Sequence, residues 1–398
     1  MIRQVRENYN KEFTKEKYDA FIHELEQLYP GQLEFRVAET PVFVPKDFTK
    51  KMVDACDAII DTVKKPEYLT ASEKAIPHNL KVQNENTFPH CIAFDFGVCK
   101  NENGELEPQL IEMQGFPSLF CWQVLLPETQ KKHFGWPANY SPYLNGYDKQ
   151  SYIDLLKQVI IGEEDPASVI LLEILPEQQK TRVDFYATET LVGIKTVCLT
   201  KLVKEGRKLF YEDGGKRQEI KRIFNRVIFD DLQQQSAAIQ EKGKILTEDL
   251  DVEWIPHPNW FFRLSKFTLP FIDHPYVPKT TFLNELSELP DDLENFVVKP
   301  LFSFAGQGVI IDVTKEAIDN IADKDNWIIQ KKVQYANAIE TPGEMAKAEI
   351  RLFYFKIPGE EKMIAANNLC RLSKGKMVGV RYNKDKDWVG GSFCLFEE

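Results

Sequence analysis

Histidine is scarce in this chain, six among 398 residues, and no two stand in an HExxH or HxxxH spacing. A zinc hydrolase centre built on helix-borne histidines is therefore not expected. The seven cysteines (56, 91, 99, 121, 198, 370 and 394) are odd in number and scattered, with no CxxC pair. That pattern argues against a disulfide framework and for reduced, structural thiols in a reducing compartment. Long apolar runs are missing too. The strongest, Val169-Ile170-Leu171-Leu172, is broken by Glu173, whereas a membrane span takes ~20 such residues. The opening MIRQVRENYNKEF has no apolar core, so no secretory signal is expected and a cytoplasmic location is. Positive charge is in deficit, with 50 Lys and Arg against 61 Asp and Glu and a net charge of −11. Such a surface repels nucleic-acid backbones and anionic lipid, so neither partner is expected, and only a local cationic pocket would hold a small anion. Internal repeats and low-complexity tracts are absent. What is there is globular: 43% hydrophobic and 28% charged residues, in a chain long enough for two or three domains.

Hydrophobic periodicity gives the organisation. Residues 4–29 carry Tyr9, Phe13, Tyr18, Phe21, Ile22, Leu25 and Leu28 at helical spacing, and residues 50–65 place Met52, Val53, Cys56, Ile59, Ile60 and Val63 on one face. Both stretches read as amphipathic helices. The period changes to that of strands at 90–98 and 109–113, joined by Asn101-Glu102-Asn103-Gly104, a hairpin-turn composition. Residues 168–175 read as a buried strand, 180–192 as a helix, 196–203 as an apolar helix or strand, and Glu212-Asp213-Gly214-Gly215 as another hairpin turn. Further on, strands are expected at 296–300 and 308–312, a helix at 314–322, and strands at 327–333, 348–356 and 363–371. The fold class is α/β (α+β), divided into 1–149, an inserted α/β segment at 150–255, and 256–398.

Four groups of residues carry chemistry. Lys299 ends a strand reading Val297-Val298-Lys299-Pro300 and precedes the loop Ser303-Phe304-Ala305-Gly306-Gln307-Gly308. Its glycines let backbone N–H groups approach an anion closely. No GKS or GKT follows and no GxGxxG opens a helix, so this phosphate cradle is neither a Walker A loop nor a Rossmann fingerprint. The stretch Trp327–Val333, with Gln330 and Lys331, is an apolar strand turning polar and suits a purine edge. In Glu349-Ile350-Arg351, period-2 alternation puts Glu349 and Arg351 on one face of a strand, where they pair with each other or face phosphates. Asp95, Glu112 and Gln114 lie on the two strands of the first hairpin and offer hard oxygen donors of the kind Mg²⁺ prefers. Their apolar neighbours, Phe94, Phe96, Leu110 and Met113 among them, mean that these carboxylates need a cation or donor to offset desolvation.

In their order along the chain these groups resemble the ATP-grasp superfamily, and within it the circularly permuted type similar to the synthetase domain of glutathionylspermidine synthase. FDF around Asp95 resembles that family's metal-binding strand, and LIEMQGFPSL resembles its Glu-x-Asn segment. Ser265-Lys266, with Leu269-Pro270 and His274-Pro275 beyond, resembles the lysine segment before the glycine loop. The resemblance covers roughly 90–120 and 255–395. It departs at Gln114, where the family usually has Asn, and at Ala93, where an arginine is usual two residues before the aspartate. No amidase domain with a nucleophilic cysteine accompanies it.

The resemblance implies two α+β subdomains clasping ATP, with 150–255 as a pre-ATP-grasp-like substrate domain. It implies ATP and Mg²⁺ as cofactors, and small-molecule carboxylic acid and amine substrates joined through an acyl phosphate. On that reading Lys266 and Lys299 hold the α/β-phosphates, and Ser303, Ala305, Gly306 and Gly308 close over the β/γ-phosphates. Gln330, Lys331 and Glu349 complete the nucleotide site, Asp95, Glu112 and Gln114 hold Mg²⁺, and Arg351 stabilises the transferring phosphoryl group. The substrates are expected against 176–185 and 224–231, where Arg182 or Arg226 binds a carboxylate bidentately, with Asn383 and Gly390-Gly391 finishing the pocket. Two alternatives stand beside the ligase: a small-molecule kinase using the same nucleotide site, and a nucleotide-binding protein without turnover.

Overall fold

The computed structural model describes all residues except 303–307, 376–377, 379–382 and 384. The N-terminal region runs α1 (Arg3–Glu12), α2 (Lys15–Leu28), β1 (Val42–Val44), α3 (Lys46–Val63) and α4 (Pro66–Ser72). Thr14 starts α2 by accepting the Lys17 N–H on its hydroxyl, which satisfies one of the donors a helix leaves open at its N-terminus. The hairpin β2 (Cys91–Lys100) and β3 (Leu106–Gln114) follows, then α5 (Trp122–His133), β4 (Tyr140–Ser141) and α6 (Lys149–Ile160).

The middle region alternates strand and helix: β5 (Val169–Glu173), α7 (Arg182–Leu191), β6 (Lys195–Cys198), the meander β7 (Val203–Glu205), β8 (Lys208–Asp213) and β9 (Lys216–Ile220), then β10 (Arg222–Asn225), α8 (Phe229–Gln234), α9 (Ala237–Gly243) and β11 (Glu253–Ile255). The last region holds α10 (Trp260–Arg263), β12 (Thr280–Phe282), β13 (Phe296–Pro300), α11 (Lys315–Asp319), β14 (Trp327–Lys331), β15 (Lys347–Lys356), β16 (Met363–Ser373), β17 (Gly390–Ser392) and β18 (Cys394–Glu397). The stretch 196–203, left between helix and strand by its composition, divides into the end of β6, one 3₁₀ turn and the start of β7. Residues 308–312 differ from the expected strand: Ile310 alone bridges to Val298, exchanging both backbone hydrogen bonds with it.

The centre of the molecule is an antiparallel sheet in the order β17-β16-β15-β2-β3. It therefore joins a hairpin from the first third of the chain to strands from the last sixth. One face carries Phe94, Phe96, Ile350 and Leu352, all fully buried, in the same core as Met52, Ile59 and Val63 of α3. That burial is the reason α3 keeps a one-sided apolar stripe. Beside this sheet stand the three-stranded β12-β14-β13, the parallel four-stranded β11-β10-β5-β6, and a small sheet in which β18 lies between β1 and β4. Asn368, fully buried on β16, ties the last of these to the centre: its amide donates to the Pro142 and Cys394 carbonyls and accepts the Cys394 N–H.

Candidate functional site

The charged residues of the central sheet gather on the face opposite α3. Register dictates this: Asp95 stands across from Glu112 on β3 and from Arg351 on β15, while Glu349 stands across from Gly97 on one side and Arg371 of β16 on the other. Arg351 grips Asp95 with Nε and, at 2.6 Å, with Nη2. Arg371 donates to the same carboxylate at 2.8 Å and also pairs with Glu349. Tyr335 donates its hydroxyl to the other Glu349 oxygen at 2.8 Å. To reach it the Tyr335 ring crosses Gly97 so closely that a Cβ there would stand 2.8 Å from Cε1; only glycine leaves room.

The electrostatics follow from this packing. Asp95 is 1% exposed; burial works to raise its pKa, but Arg351 and Arg371 overcome that and hold the carboxyl below its ordinary value. For Glu349 burial wins over Arg371, with Asp95 and Glu112 adding repulsion, and its pKa is raised. Arg371 is held still more firmly protonated: burial opposes its charge, but Glu349 and Asp95 outweigh that. The acid pair within one hairpin was legible from the sequence. Arg371 and Tyr335 were not singled out, and their only sequence signal is the alternation that puts them on strands next to Glu349.

Two lysines from the last region come up to the hairpin. Lys299, on β13, donates to Gln330 Oε1 at 2.6 Å and contacts the Ile111 carbonyl at 3.4 Å, next to Glu112. Burial and the nearby Lys266 push its pKa down to about 8. Lys266 is itself buried, with its pKa lowered by burial against the pull of Glu112 and Asp230. Together with Glu112, Gln114, Phe116, Phe261 and Phe302 it lines a narrow cleft. Gly115 closes the end of β3 against α10, where a Cβ would meet the Trp260 carbonyl at 2.5 Å. Lys266 in this cleft, Lys299 close behind it and one part-buried carboxylate make it a place for a phosphate-rich anion.

The other expected residues separate. Gln330 is held by Lys299 on its oxygen and by the Thr280 hydroxyl on its nitrogen, 2.9 Å away, so its side chain serves the sheet and the lysine. Lys331 is exposed at the end of β14. Gln114 donates to the Phe116 carbonyl at 3.3 Å, which turns its amide nitrogen inward. Gly308 is left-handed, with φ 71°, while Ser303, Ala305 and Gly306 lie outside the described residues. Arg182 is occupied by Glu34, Gln32 and the Gly31 carbonyl and holds the α2 loop to α7. Asn383 binds Ser373 and the Lys374 N–H. Gly390, at φ 122°, packs against the Arg36 backbone, where any Cβ would meet a carbonyl oxygen at 2.4 Å.

Arg226 stands apart. Its Nη1 donates to the Ser118 carbonyl at 2.7 Å and its guanidinium lies over the Phe185 ring, while Nε is buried without a hydrogen-bond partner among the described residues. The Ser118 hydroxyl in turn accepts from Arg351 at 3.0 Å. One serine thus links the middle region to the charged face of the central sheet.

No family model matches the chain, and no curated protein matches it in sequence. Among solved structures it is similar to a glutathione synthetase-like effector from Globodera pallida in its apo form. The two share 9% sequence identity at a TM-score of 0.58, over 97% of this chain and 98% of that one. The mixed α/β fold is thus glutathione synthetase-like. No helix among the described residues is long and apolar enough to cross a membrane.

Proposed function

We propose that the chain is an ATP- and Mg²⁺-dependent ligase of circularly permuted ATP-grasp type that joins a small carboxylic acid to an amine through an acyl phosphate. The observation that carries this reading is the meeting of Lys266 and Lys299, from the last region, with Glu112 of the first hairpin. The glutathione synthetase-like fold supports it. Lys299 and Lys266 would neutralise nucleotide phosphates, and burial makes each charge count for more than it would in water. Arg351 and Arg371, fixed on Asp95 and Glu349, bring a preorganised positive edge to the place where charge develops on the transferred group. Ser118 and Arg226 continue that edge toward the acid to be activated.

The donors of Asp95, Glu112 and Gln114 suit Mg²⁺, being two carboxylates and an amide. Both Asp95 oxygens already accept from arginines, so Glu112 and Gln114 are the readier ligands. When bound, the ion would supply further neutralisation of the phosphoryl group. The commitment of Asp95 to two guanidinium groups also favours a second reading, a nucleotide-binding protein without turnover.

Incubation with ATP, Mg²⁺ and pools of amino, hydroxy and dicarboxylic acids, with hydroxylamine as a small neutral nucleophile, separates the readings. A ligase forms hydroxamate and ADP in equal amounts and only with an acid present. A stable phosphorylated product marks a kinase. ATP binding by calorimetry without any product from the whole set marks the inactive form.

A further inference from the structure

The four-stranded sheet of the middle region is parallel throughout. From β5 the chain moves outward to β6, then returns to the other side of β5 for β10 and β11. The order reverses between β5 and β10, and open α/β sheets receive ligands in the crevice beyond the carboxyl ends of strands at such a reversal. Glu173 ends β5 there. It is 6% exposed, and among the described residues its carboxyl accepts a single hydrogen bond, from the Ile174 N–H at 2.7 Å. A buried carboxylate with one neutral donor is poorly compensated. Two residues on, Leu175 sits in the left-handed region at φ 45° and ψ 60°, a strained conformation for a non-glycine residue and one that clusters at ligand sites. Arg226 follows β10, its backbone N–H donating to the Leu172 carbonyl at 3.0 Å, so its side chain leaves from the same strand ends. Asp231 of α8 faces the crevice from the far side, 3.5 Å from the Gln179 amide that also holds the Ile174 carbonyl.

We propose that this crevice seats the amine co-substrate, with the Glu173 carboxylate receiving the ammonium group and taking its proton. The proposal rests on the ligase reading and deepens it. Glu173 and the fully buried Asp184 of α7 both lie in the field of one guanidinium, Arg226, which is turned toward Ser118, and Asp231 adds negative charge beside Glu173; such a lining repels an anion and welcomes a cation. Burial raises the Glu173 pKa to about 8 against the pull of Arg226, with Asp231 adding to the rise. A carboxylate of that proton affinity suits a general base working near neutrality. The ammonium gives one proton to Glu173, and the freed electron pair on nitrogen forms the bond to the acyl carbon. The carbon–oxygen bond to phosphate breaks, its pair leaving on phosphate, which takes the second proton from nitrogen. Amine and acyl phosphate meet across Ser118, whose two polar groups already hold Arg226 and Arg351.

The test compares hydroxylamine, neutral and in little need of a base, with n-propylamine, a cation at neutral pH, on whichever acid supports hydroxamate formation. In Glu173→Gln, hydroxamate formation is expected within twofold of wild type, while propylamide formation falls ~100-fold and its rise with pH through about 8 disappears. Glu173→Asp should recover part of the propylamide rate. Should Glu173→Gln fail to fold, Asp231→Asn takes its place, with a raised KM for propylamine and an unchanged KM for ATP expected. Equal loss with both nucleophiles, or an unchanged propylamide rate, overturns the amine seat. So does hydroxamate without propylamide from the wild-type protein, which leaves the ligase reading standing. Absence of hydroxamate from the wild type overturns both.

Discussion

On the central sheet Arg351 and Arg371 have carboxylates on either side, Asp95 between them and Glu349 beyond. Arg226, joined to them through Ser118, forms no ion pair with any described residue and leaves one nitrogen buried without a hydrogen-bond partner among them. Arg6 is the other described arginine without a carboxylate, and its guanidinium is taken by the Thr40 hydroxyl and the Pro41 carbonyl. The contrast separates two uses of the same residue type. A guanidinium saturated by buried carboxylates fixes strand positions and sets a local field, whereas one turned toward Ser118 with a donor to spare keeps its capacity for the acid to be activated. The acids differ in the same way: Asp95 is overcompensated and its pKa is lowered, while Glu173 is undercompensated and its pKa is raised.

The hardest test of this contrast is Asp95→Asn. It leaves two guanidinium groups facing each other without the charge that joins them, and removing one partner of a buried ion pair costs ~3–5 kcal/mol. Urea unfolding should show a loss of that size, and a loss below ~1 kcal/mol would place Asp95 among ordinary surface pairs. Next comes Lys299→Ala. Losing a charge-assisted hydrogen bond to phosphate, ~1.5–3 kcal/mol, weakens ATP binding about 10–100-fold by calorimetry. Its folded pKa is depressed, so wild-type stability should climb as pH rises above about 8, and the variant should lose that climb.

Glu173→Gln sharpens the other half. The folded carboxyl titrates near 8 against an ordinary value of 4.5, so the folded state binds more protons between those values. Its stabilising contribution is present at low pH and lost as pH rises toward the folded pKa. The thermal midpoint of the variant should therefore gain on wild type between pH 5 and pH 8.5; parallel curves would mean that Glu173 is not buried as described. A smaller stability loss than that of Asp95→Asn is expected for Arg226→Gln, ~1.5–3 kcal/mol for its charged hydrogen bond to the Ser118 carbonyl, even though ligation should be lost. A destabilisation there as large as that of Asp95→Asn would erase the distinction between the two arginines.

Much of the central hairpin was legible because its signals are local. Alternation and an Asn-Glu-Asn-Gly turn locate the hairpin of 91–114 and suggest that its two acids meet; the register runs from the turn as far as Phe96 opposite Leu110, and a bulge that passes over Ile111 then puts Glu112 opposite Asp95. Lys299 at a strand end was legible for the same reason. Arg351 was placed on the correct face with Glu349, but its partner Asp95 lies 256 residues away, and register between distant strands leaves no trace in either segment alone. Arg371, Tyr335 and Ser118 were invisible on the same ground. Gln330 read as part of a purine-facing strand because that strand turns polar; its side chain binds Lys299 and Thr280, partners that lie on other segments and leave no mark on this one. Arg182 read as a candidate for a substrate carboxylate, and Glu34 supplies one from within the chain.

The small sheet formed by β1, β18 and β4 has a bearing on how the molecule is made. Val42 pairs in parallel with Cys394, and Ser141 pairs with Phe396 from the other side, so two strands made in the first part of this sequence share a partner made long after both. Until then both present bare backbone edges of the kind that recruit stray chains. Synthesis of this protein thus has a long vulnerable interval, closed by four residues at 394–397, and a chaperone that shields strand edges would have its natural client in the nascent chain.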